Sequence, residues 1–406
     1  MKITKIDVML FHPNESSNKR GEAGAPVSWD NPAWNPIGCR VYTDEGIYGD
    51  GEAAMAYGAG CHGAFGMVRD LGNMIIGMDP MKNEVIWEKL YKQTFWGQNG
   101  GPVFFAGLSA IDMALWDIRG KALNVPLHVL LGGKRRDNLR TYASQLQFGW
   151  DDRIIPAYST ESYVENAKKA VAEGYDAIKV DFFTFDKDGT TFSEEQRTGL
   201  MKPYYVDLVE ERVAAVREAV GPNVDIIMEN HSFLDSQSAI QLGRRVEKYN
   251  IFCFEEPNTP NPKTAKLVHE KLNIPIASGE RIYTRWQYAP YFEDQTLQMI
   301  QPDIGTSGGI TELKKICDMA HIYDIGVQVH VCASPLCTAP ALQLEAVIPN
   351  FVIHEHHVFN RYEYNRRLCK YDYQPENGKF KVPDIPGNGN EFSDYALTHC
   401  EKVTVE

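Results

Sequence analysis

This chain of 406 residues has no apolar run approaching the length of a membrane span and no dense basic segment. A membrane helix needs about 20 consecutive apolar residues, so we expect no membrane segment. The net charge is −13, and the densest positive cluster is the short stretch 134–136. A nucleic-acid partner is therefore not expected. The N-terminal segment shows no apolar core with a cleavage site, so we expect no secretory signal.

Paired cysteine motifs are also missing. The eight cysteines are scattered and form no C-x-x-C pair. Cys253 and Cys332 lie in apolar strand candidates, where a free thiol behaves as a small hydrophobe. This usage is typical of a reducing compartment and not of a disulfide framework, so we expect a cytoplasmic protein.

The chain contains a regular series of acidic and histidine residues, and each one stands at the end of a short apolar run. The six are Glu229, Glu255, Glu280, Asp303, His330 and Glu355, with steps of 26, 25, 23, 27 and 25 residues. One strand, one helix and two loops fill about that length, as in a βα unit. If the strands are parallel and close into a barrel, all six residues lie at the catalytic rim. The spacing predicts an enzyme.

The N-terminal third has a different pattern. Residues 3–11 alternate as a strand, and the turn signal at 44–46 joins strand candidates at 39–43 and 47–52. Helical spacing follows at Leu108, Ile111, Leu115 and Ile118, and we expect Gly120 and Pro126 to help end that helix. The polar segment 184–205 is interpreted as an enlarged loop over the barrel rim.

These patterns predict an α/β chain, with a TIM-type barrel and a smaller α+β N-terminal domain. We place the N-terminal domain at 1–133, the barrel at 134–382 and a segment returning to the N-terminal domain at 383–406. The length and the 43% hydrophobic content are sufficient for two such domains.

The best metal-ligand candidates are Glu229, Glu255 and Glu280. Three carboxylates converging at one rim would repel one another and could not all stay ionised without a cation. All-oxygen ligation favours Mg²⁺ before Mn²⁺. A single strand-end Glu could merely cap the next helix, but three at successive strand ends favour a metal site.

Two histidines are the candidate proton-transfer groups. His231 follows Glu229 by two positions, so both side chains point the same way from an extended chain, which suits a general acid. His330 lies one unit after Asp303, and the carboxylate of Asp303 could fix its tautomer for a role as base. The alternative for each histidine is a structural role.

The order of short motifs along the chain resembles that of the enolase superfamily, in its mandelate racemase subgroup. The motifs are Lys179-Val-Asp181, Glu229-Asn-His231, Glu255-Glu-Pro257, Gly279-Glu-Arg281, Gln301-Pro-Asp303, His330, Glu355, and in the N-terminal part Thr43-Asp-Glu-Gly46, Asp112 to Asp117 and Pro126 to Gly133. The resemblance implies a modified TIM barrel of type (β/α)7β, with the α+β N-terminal domain as a capping domain. It implies one Mg²⁺ per subunit, held by the three glutamates. It also implies a His330–Asp303 dyad that removes the proton α to a carboxylate, with Lys179 and Glu355 stabilising the enediolate.

Two positions depart from the usual motifs of this family. Glu229 stands where the family more often has Asp, and Asp181 stands where racemases carry a second lysine base. We expect Asp181 to hydrogen-bond a substrate hydroxyl. The histidine at 231 resembles the acid-sugar dehydratases of the subgroup, of the galactonate type.

The resemblance also indicates substrate contacts. In the capping domain, Trp29, Trp34 and Tyr57 lie in or beside the segments 14–36 and 56–63, and they either close the pocket or pack the domain interface. Arg281 either binds substrate hydroxyls or a distal carboxylate, or supports Glu280.

The leading hypothesis is therefore Mg²⁺-dependent dehydration of an aldonic or aldaric acid to a 2-keto-3-deoxy acid. The alternatives are epimerisation or cycloisomerisation through the same enediolate, a catalytically silent sugar-acid-binding paralogue, and an unrelated metal-dependent barrel hydrolase. The resemblance further implies a homo-oligomer, an octamer or a dimer.

Overall fold

The computed structural model describes residues 1–13 and 34–406. Most of the predicted 14–36 segment, including Trp29, lies outside these ranges. The described strands are β1 (Ile3–Phe11), β2 (Ile37–Thr43), β3 (Tyr48–Ala53), β4 (Asn138–Ser144), β5 (Ala177–Val180), β6 (Asp225–Glu229), β7 (Cys253–Glu255), β8 (Ile276–Ser278), β9 (Met299–Ile300), β10 (Gly326–Val327), β11 (His354–His357), β12 (Lys379–Lys381) and β13 (Cys400–Val405). The described α-helices are α1 (Cys61–Asn73), α2 (Asn83–Gln93), α3 (Pro102–Leu123), α4 (Leu127–Leu130), α5 (Thr160–Ala172), α6 (Glu194–Arg197), α7 (Pro203–Val220), α8 (Ser236–Val246), α9 (Pro262–Lys271), α10 (Thr284–Glu293), α11 (Gly309–Ile322), α12 (Pro335–Val347), α13 (Glu363–Arg366) and α14 (Asp394–Thr398).

A four-stranded antiparallel sheet of order β13-β1-β2-β3 and the helices α1 to α3 form the first unit. The predicted hairpin is confirmed, since β2 and β3 pair antiparallel around 44–46 and Gly46 takes φ 78°. The 383–406 segment ends in β13, which pairs with β1. The domain boundaries at 133 and 382 remain our proposal.

Helix α3 packs on β3 and continues to Leu123, past the predicted end signal at Gly120, while Pro126 lies just beyond the cap of the helix. Gly120 lies inside the helix, where a Cβ atom would come within 2.6 Å of the Cα of Gly387. The helix ends at Asn124, whose left-handed backbone (φ 55°) turns the chain. The expectation that Gly120 helps to end the helix was wrong: the missing side chain allows close packing.

Eight parallel strands, β4 to β11, form the barrel, in the order β10-β9-β8-β7-β6-β5-β4-β11. The ring closes because β11 pairs with β4 and residue Val327 bridges to Phe351. A helix follows each strand from β4 to β10, which gives the predicted (β/α)7β architecture. This fold class is confirmed, and every strand's carboxyl end lies at one rim.

The segment between β5 and α7 is indeed a long connection, but it is not wholly irregular. It contains the short helix α6, which begins at a capping box between Ser193 and Gln196. Met201 is fixed to α8 by two hydrogen bonds with Gln241, of 2.8 and 3.1 Å. The loop is therefore held at the rim by its own contacts.

Contacts between the first unit and the barrel support the loops that carry Asp303 and His330. Asp112 accepts hydrogen bonds from the backbone N–H of Thr311 (2.9 Å) and from its hydroxyl (2.5 Å). Glu52 accepts from the N–H and hydroxyl of Ser334 at 3.0 and 2.5 Å. The first unit thus supports the rim at which the strands' carboxyl ends lie.

Within the described ranges, we find no helix with both the length and the apolar character needed to cross a membrane.

Candidate active site

The three glutamates predicted as metal ligands meet at the carboxyl ends of neighbouring strands. Glu229 ends β6, Glu255 ends β7, and Glu280 lies two residues after β8. One side-chain oxygen from each lies within 4.8 Å of the others. The period of the βα units brings these residues together, since parallel neighbours in register place successive strand ends side by side.

The environment of this acidic triad suits a hard divalent cation. Glu229 Oε1 and Glu255 Oε2 are buried and have no hydrogen-bond partner among the described residues. Burial, opposed by Lys179 and reinforced by Glu229, raises the pKa of Glu255 to about 8. Bare, buried carboxylate oxygens are costly unless a cation or proton compensates them. The donor set, all carboxylate oxygen, fits Mg²⁺.

Lys179, on β5, lies within the same cluster. Its Nζ is 2.5 Å from Glu255, 3.0 Å from Glu355 and 3.3 Å from Glu229. Burial opposes its charge, but these three carboxylates outweigh burial and raise the pKa of Lys179 well above its ordinary value. Glu355 also accepts from the hydroxyl of Ser144 at 2.6 Å. A single lysine leaves the cluster with surplus negative charge.

His330 and Asp303 form a close pair on neighbouring strand extensions. His330 Nδ1 is 2.6 Å from Asp303 Oδ2, and the two residues also form a parallel backbone bridge. The other ring nitrogen, Nε2, is 3.0 Å from Glu280. Burial opposes protonation of His330, but Glu280 and Glu355 raise its pKa well above the ordinary value. Asp303 is placed to hold the Nδ1 proton, which leaves Nε2 to face the triad.

A second pair with the same composition joins β5 and β6. His231 Nδ1 is 2.9 Å from Asp181 Oδ2, and its Nε2 is 3.4 Å from Glu229. Asp181 Oδ1 accepts from the N–H of Phe183 at 2.8 Å. Burial opposes the charge of His231, yet Glu229 and Asp181 raise its pKa to about 9. Both carboxylate oxygens of Asp181 have partners within the protein, and its predicted hydroxyl contact stays a prediction.

Two glutamines after β4 complete this side, and sequence reasoning missed them. Gln145 Nε2 lies 2.7 Å from Glu229 and 3.3 Å from Nε2 of His231, and Gln147 donates to the side-chain oxygen of Gln145. Gln145 takes a left-handed backbone with φ 70°, which is strained for a residue with a side chain. Their position just after the first barrel strand is a sequence signal for the rim. Because an amide does not titrate, however, neither glutamine fits the pattern of metal ligands and proton-transfer groups.

Arg281 pairs with acidic neighbours of the triad. One of its terminal nitrogens, Nη1, donates to both Glu280 and Glu256. Glu256 is fully buried and takes φ 44°. This geometry supports the interpretation in which Arg281 holds Glu280; a substrate contact by Arg281 remains a prediction.

The capping-side aromatic residues divide by exposure. Trp34 is buried, stacks on Phe359 with ring centroids 4.3 Å apart, and donates from Nε1 to Asn365 at 2.9 Å. Trp34 therefore packs the interface between the two units. Tyr57 is 38% exposed, and its ring centroid lies 6.1 Å from that of Phe359. A pocket-closing role stays open for Tyr57, and Trp29 lies outside the described residues.

Together these residues can carry out acid–base chemistry on an anionic substrate. The strands β6 and β10 are four positions apart in an eight-strand ring. His231 and His330 therefore face the triad from opposite sides of the barrel mouth. A base and an acid on opposite sides of a cation site can remove a proton from one carbon and assist a leaving group on the next.

Comparison with known proteins agrees with this geometry. The chain matches the enolase C-terminal domain-like family over residues 162–396 and the mandelate racemase / muconate lactonizing enzyme N-terminal domain over residues 37–132. A D-xylonate dehydratase of Haloferax volcanii is 34% identical over 355 residues, which are 86% of this chain and 81% of the relative. A D-galactonate dehydratase of Pectobacterium atrosepticum is 32% identical over 381 residues, which are 91% of this chain and 92% of the relative. The crystal structure of a member of the enolase superfamily from Salmonella Typhimurium superposes with a TM-score of 0.93, at 50% identity and with 100% of both chains covered.

Proposed function

The chain belongs to the enolase superfamily, in the branch of mandelate racemase and muconate lactonizing enzyme, and is an enzyme of the hydro-lyase type; on this premise we propose a Mg²⁺-dependent reaction that converts a sugar acid to its 2-keto-3-deoxy acid. The observation that carries the proposal is the arrangement of two histidine–aspartate pairs on opposite sides of one acidic triad. A sugar acid offers an acidic α-hydrogen and a β-hydroxyl as leaving group, and this arrangement serves both.

The first step assigned to this site is removal of the α-proton by Nε2 of His330. The proton passes from the α-carbon to Nε2, while Asp303 keeps the Nδ1 proton in place and stabilises the imidazolium that forms. The electron pair left on the α-carbon moves into the substrate carboxylate, which gives an enediolate. Lys179 lies among the carboxylates at this position and supplies positive charge close to the developing oxyanion.

The second step is loss of the β-hydroxyl with help from His231. His231 donates the Nε2 proton to the departing oxygen, which leaves as water, and the electron pair of the enediolate forms the new double bond. Asp181 holds the opposite nitrogen, Nδ1, throughout. The resulting enol becomes the 2-keto group after proton transfer.

Glu229, Glu255 and Glu280 would hold the Mg²⁺ ion, one per subunit. When bound, the ion supplies charge neutralisation for the substrate carboxylate. The support is that one buried oxygen each of Glu229 and Glu255 accepts no hydrogen bond from a described residue, together with the all-carboxylate donor set.

The test is a screen of stereochemically complete aldonic and aldaric acids with Mg²⁺ in deuterated water, with chemical detection of 2-keto acids. We expect a 2-keto acid from at least one member of the set. Deuterium at the α-carbon without a keto acid would favour epimerisation or cycloisomerisation. Neither signal across the set would favour the silent binding paralogue and contradict the proposal.

The metal assignment has its own test, Glu255→Gln. The amide keeps the shape but removes one negative charge, so we expect Mg²⁺ affinity, measured by calorimetry without substrate, to fall by roughly 100-fold or more. Turnover should fall below detection. The matched control is Glu270→Gln on the exposed face of α9. Wild-type metal affinity in Glu255→Gln would remove Glu255 from the ligand set.

A further inference from the structure

Three arginines are buried in the described part of the chain, and they differ in how their hydrogen-bond donors are used: Arg40, Arg197 and Arg212. Arg40 makes a two-point bond to Asp50, with both distances 2.7 Å. Arg212 donates to three backbone carbonyls, at 2.7 to 2.8 Å. Arg197 makes neither a hydrogen bond nor an ion pair with any described residue, and its Nε is fully buried without a partner.

The surroundings of Arg197 are aromatic. Its guanidinium carbon lies 4.5 Å from the ring centroid of Phe233 and 5.9 Å from that of Phe183. Cation–π contacts of this kind are weakly favourable, but they satisfy none of the five N–H donors of a guanidinium. A buried N–H donor without a hydrogen bond is costly. The Nε of Arg197 is such a donor, and the charge of Asp181 acts on the guanidinium without an ion pair. The guanidinium is therefore available to pair with the anionic group of a ligand.

The position of Arg197 identifies where that group comes from. Arg197 ends α6 in the loop after β5, at the rim where the active site lies. The ring centroid of Phe233 lies 4.5 Å from the guanidinium carbon of Arg197 and 6.3 Å from the ring centroid of His231. Phe233 and Leu200 are 55% and 78% exposed, so this part of the rim opens to solvent. A sugar-acid chain that reacts beside His231 can extend over this ring to the guanidinium.

The loop is built to hold Arg197 in place. The capping box at Ser193 and Gln196 fixes the start of α6, and Gln196 donates to the hydroxyl of Tyr205 at 2.7 Å. Arg281, the other arginine considered for a substrate carboxylate, already pairs with Glu256 and Glu280. Arg197 is thus the guanidinium left available for a ligand.

We propose that Arg197 binds an anionic group at the end of the substrate remote from the reacting carboxylate. The substrate class is then a sugar acid with two anionic ends: an aldaric acid, whose far end is a carboxylate, or an aldonic acid phosphorylated at its far end. Guanidinium groups bind both anions through two parallel N–H···O bonds. A plain aldonic acid would offer this guanidinium no anionic partner. This inference rests on the proposed function for the position of the reacting end.

The experiment measures binding and turnover separately, so that the two proposals can fail independently. Matched ligands are hexaric acids, the corresponding hexonic acids and 6-phosphogluconate, each with Mg²⁺. Calorimetry uses the His330→Asn background, which cannot consume the ligand through the proposed base, with and without Arg197→Gln. Turnover uses Arg197→Gln alone. Lys202→Gln is the control, since it removes the same charge from an exposed position of the same loop.

We expect one dianionic class to bind at least 100-fold more tightly than its plain aldonic counterpart, and Arg197→Gln to abolish that preference. Arg197→Lys should recover part of it, because lysine keeps the charge but loses the two-point geometry. Preference for the hexaric acids identifies a carboxylate, and preference for 6-phosphogluconate identifies a phosphate. If plain aldonic acids bind as well as either dianion, or if Arg197→Gln leaves the preference unchanged, the inference is wrong, whatever the screen for 2-keto acids shows. Absence of a 2-keto acid with an intact Arg197-dependent preference would instead contradict only the proposed function.

Discussion

The two histidine–aspartate pairs at the barrel mouth contain the same groups but are held differently. His330 and Asp303 are joined by a backbone bridge and a side-chain contact of 2.6 Å. The contact between His231 and Asp181 is longer, at 2.9 Å, and His231 has a left-handed backbone with φ 48°. The His330 side chain is 14% exposed and that of His231 is 23% exposed. One pair is part of the regular barrel, and the other is aimed by a strained loop.

This difference corresponds to the two steps of the proposed reaction. A base that removes a weakly acidic α-proton needs fixed geometry, which the regular strand extension provides. The acid must reach the β-carbon, so its side chain has to turn away from the direction of strand β6. The left-handed backbone at residues 231 and 232 provides that turn. Strain at a non-glycine residue persists where the surrounding structure fixes it, and here Asp181 and Gln145 do so.

The largest effect is expected from His330→Asn. The amide occupies a similar volume but cannot accept the α-proton, so kcat should fall by about 10⁴-fold. The measurement is keto-acid formation with saturating substrate and Mg²⁺. His321→Asn, at an exposed position of α11, is the control and should retain wild-type kcat. A loss of less than tenfold would indicate either that the two pairs are equivalent or that His231 is the base and His330 the acid.

A smaller loss is expected from His231→Asn. Asparagine tolerates the left-handed backbone, so the variant should fold with an unchanged Tm. Dehydration should slow by roughly 10²- to 10³-fold, because only the assistance to the leaving group is removed. A substrate analogue with a better leaving group at the β-carbon should recover most of the rate. No recovery would contradict the assignment of His231 as the acid.

Asp181→Asn should have an intermediate effect on the same side. The amide can still contact His231 but no longer stabilises its protonated form, so kcat should fall by about 10- to 100-fold with KM changed less than threefold. If Asp181 instead binds a substrate hydroxyl, KM should rise while kcat stays near wild type. Which of the two constants changes more, kcat or KM, therefore decides whether Asp181 positions His231 or contacts the substrate.

The smallest effect is expected from Gln145→Asn. The shorter amide suits the left-handed backbone but cannot reach Glu229 and His231 together, so kcat should fall by about tenfold. Gln237→Asn, exposed on α8, is the matched control. An unchanged rate would show that Gln145 only fills space beside the second pair.

The sequence predicted the barrel and the residues at its rim because a βα unit has a nearly constant length. That regularity places Glu229, Glu255 and Glu280 side by side without any knowledge of loop conformation. It also explains why the His330–Asp303 contact was foreseen, since both follow neighbouring strands at a similar offset.

The partners of Asp181 and the roles of Gln145 and Gly120 could not be predicted in this way. They depend on backbone conformations outside the regular elements and on close approaches between segments distant in sequence. His231 reaches Asp181 because the chain turns left-handed at His231, shortly after β6. Gly120 looks like a helix end in sequence, but the approach of Gly387 to α3 determines its role.

The central claim is that the two pairs act on different bonds, and solvent exchange measures this most directly. His231→Asn and His330→Asn are each incubated with substrate and Mg²⁺ in deuterated water, and deuterium at the α-carbon is followed by NMR. The account predicts α-carbon exchange that is much faster than dehydration in His231→Asn, and no exchange in His330→Asn. Exchange in His330→Asn, or its loss in His231→Asn, would contradict the assignment of base and acid.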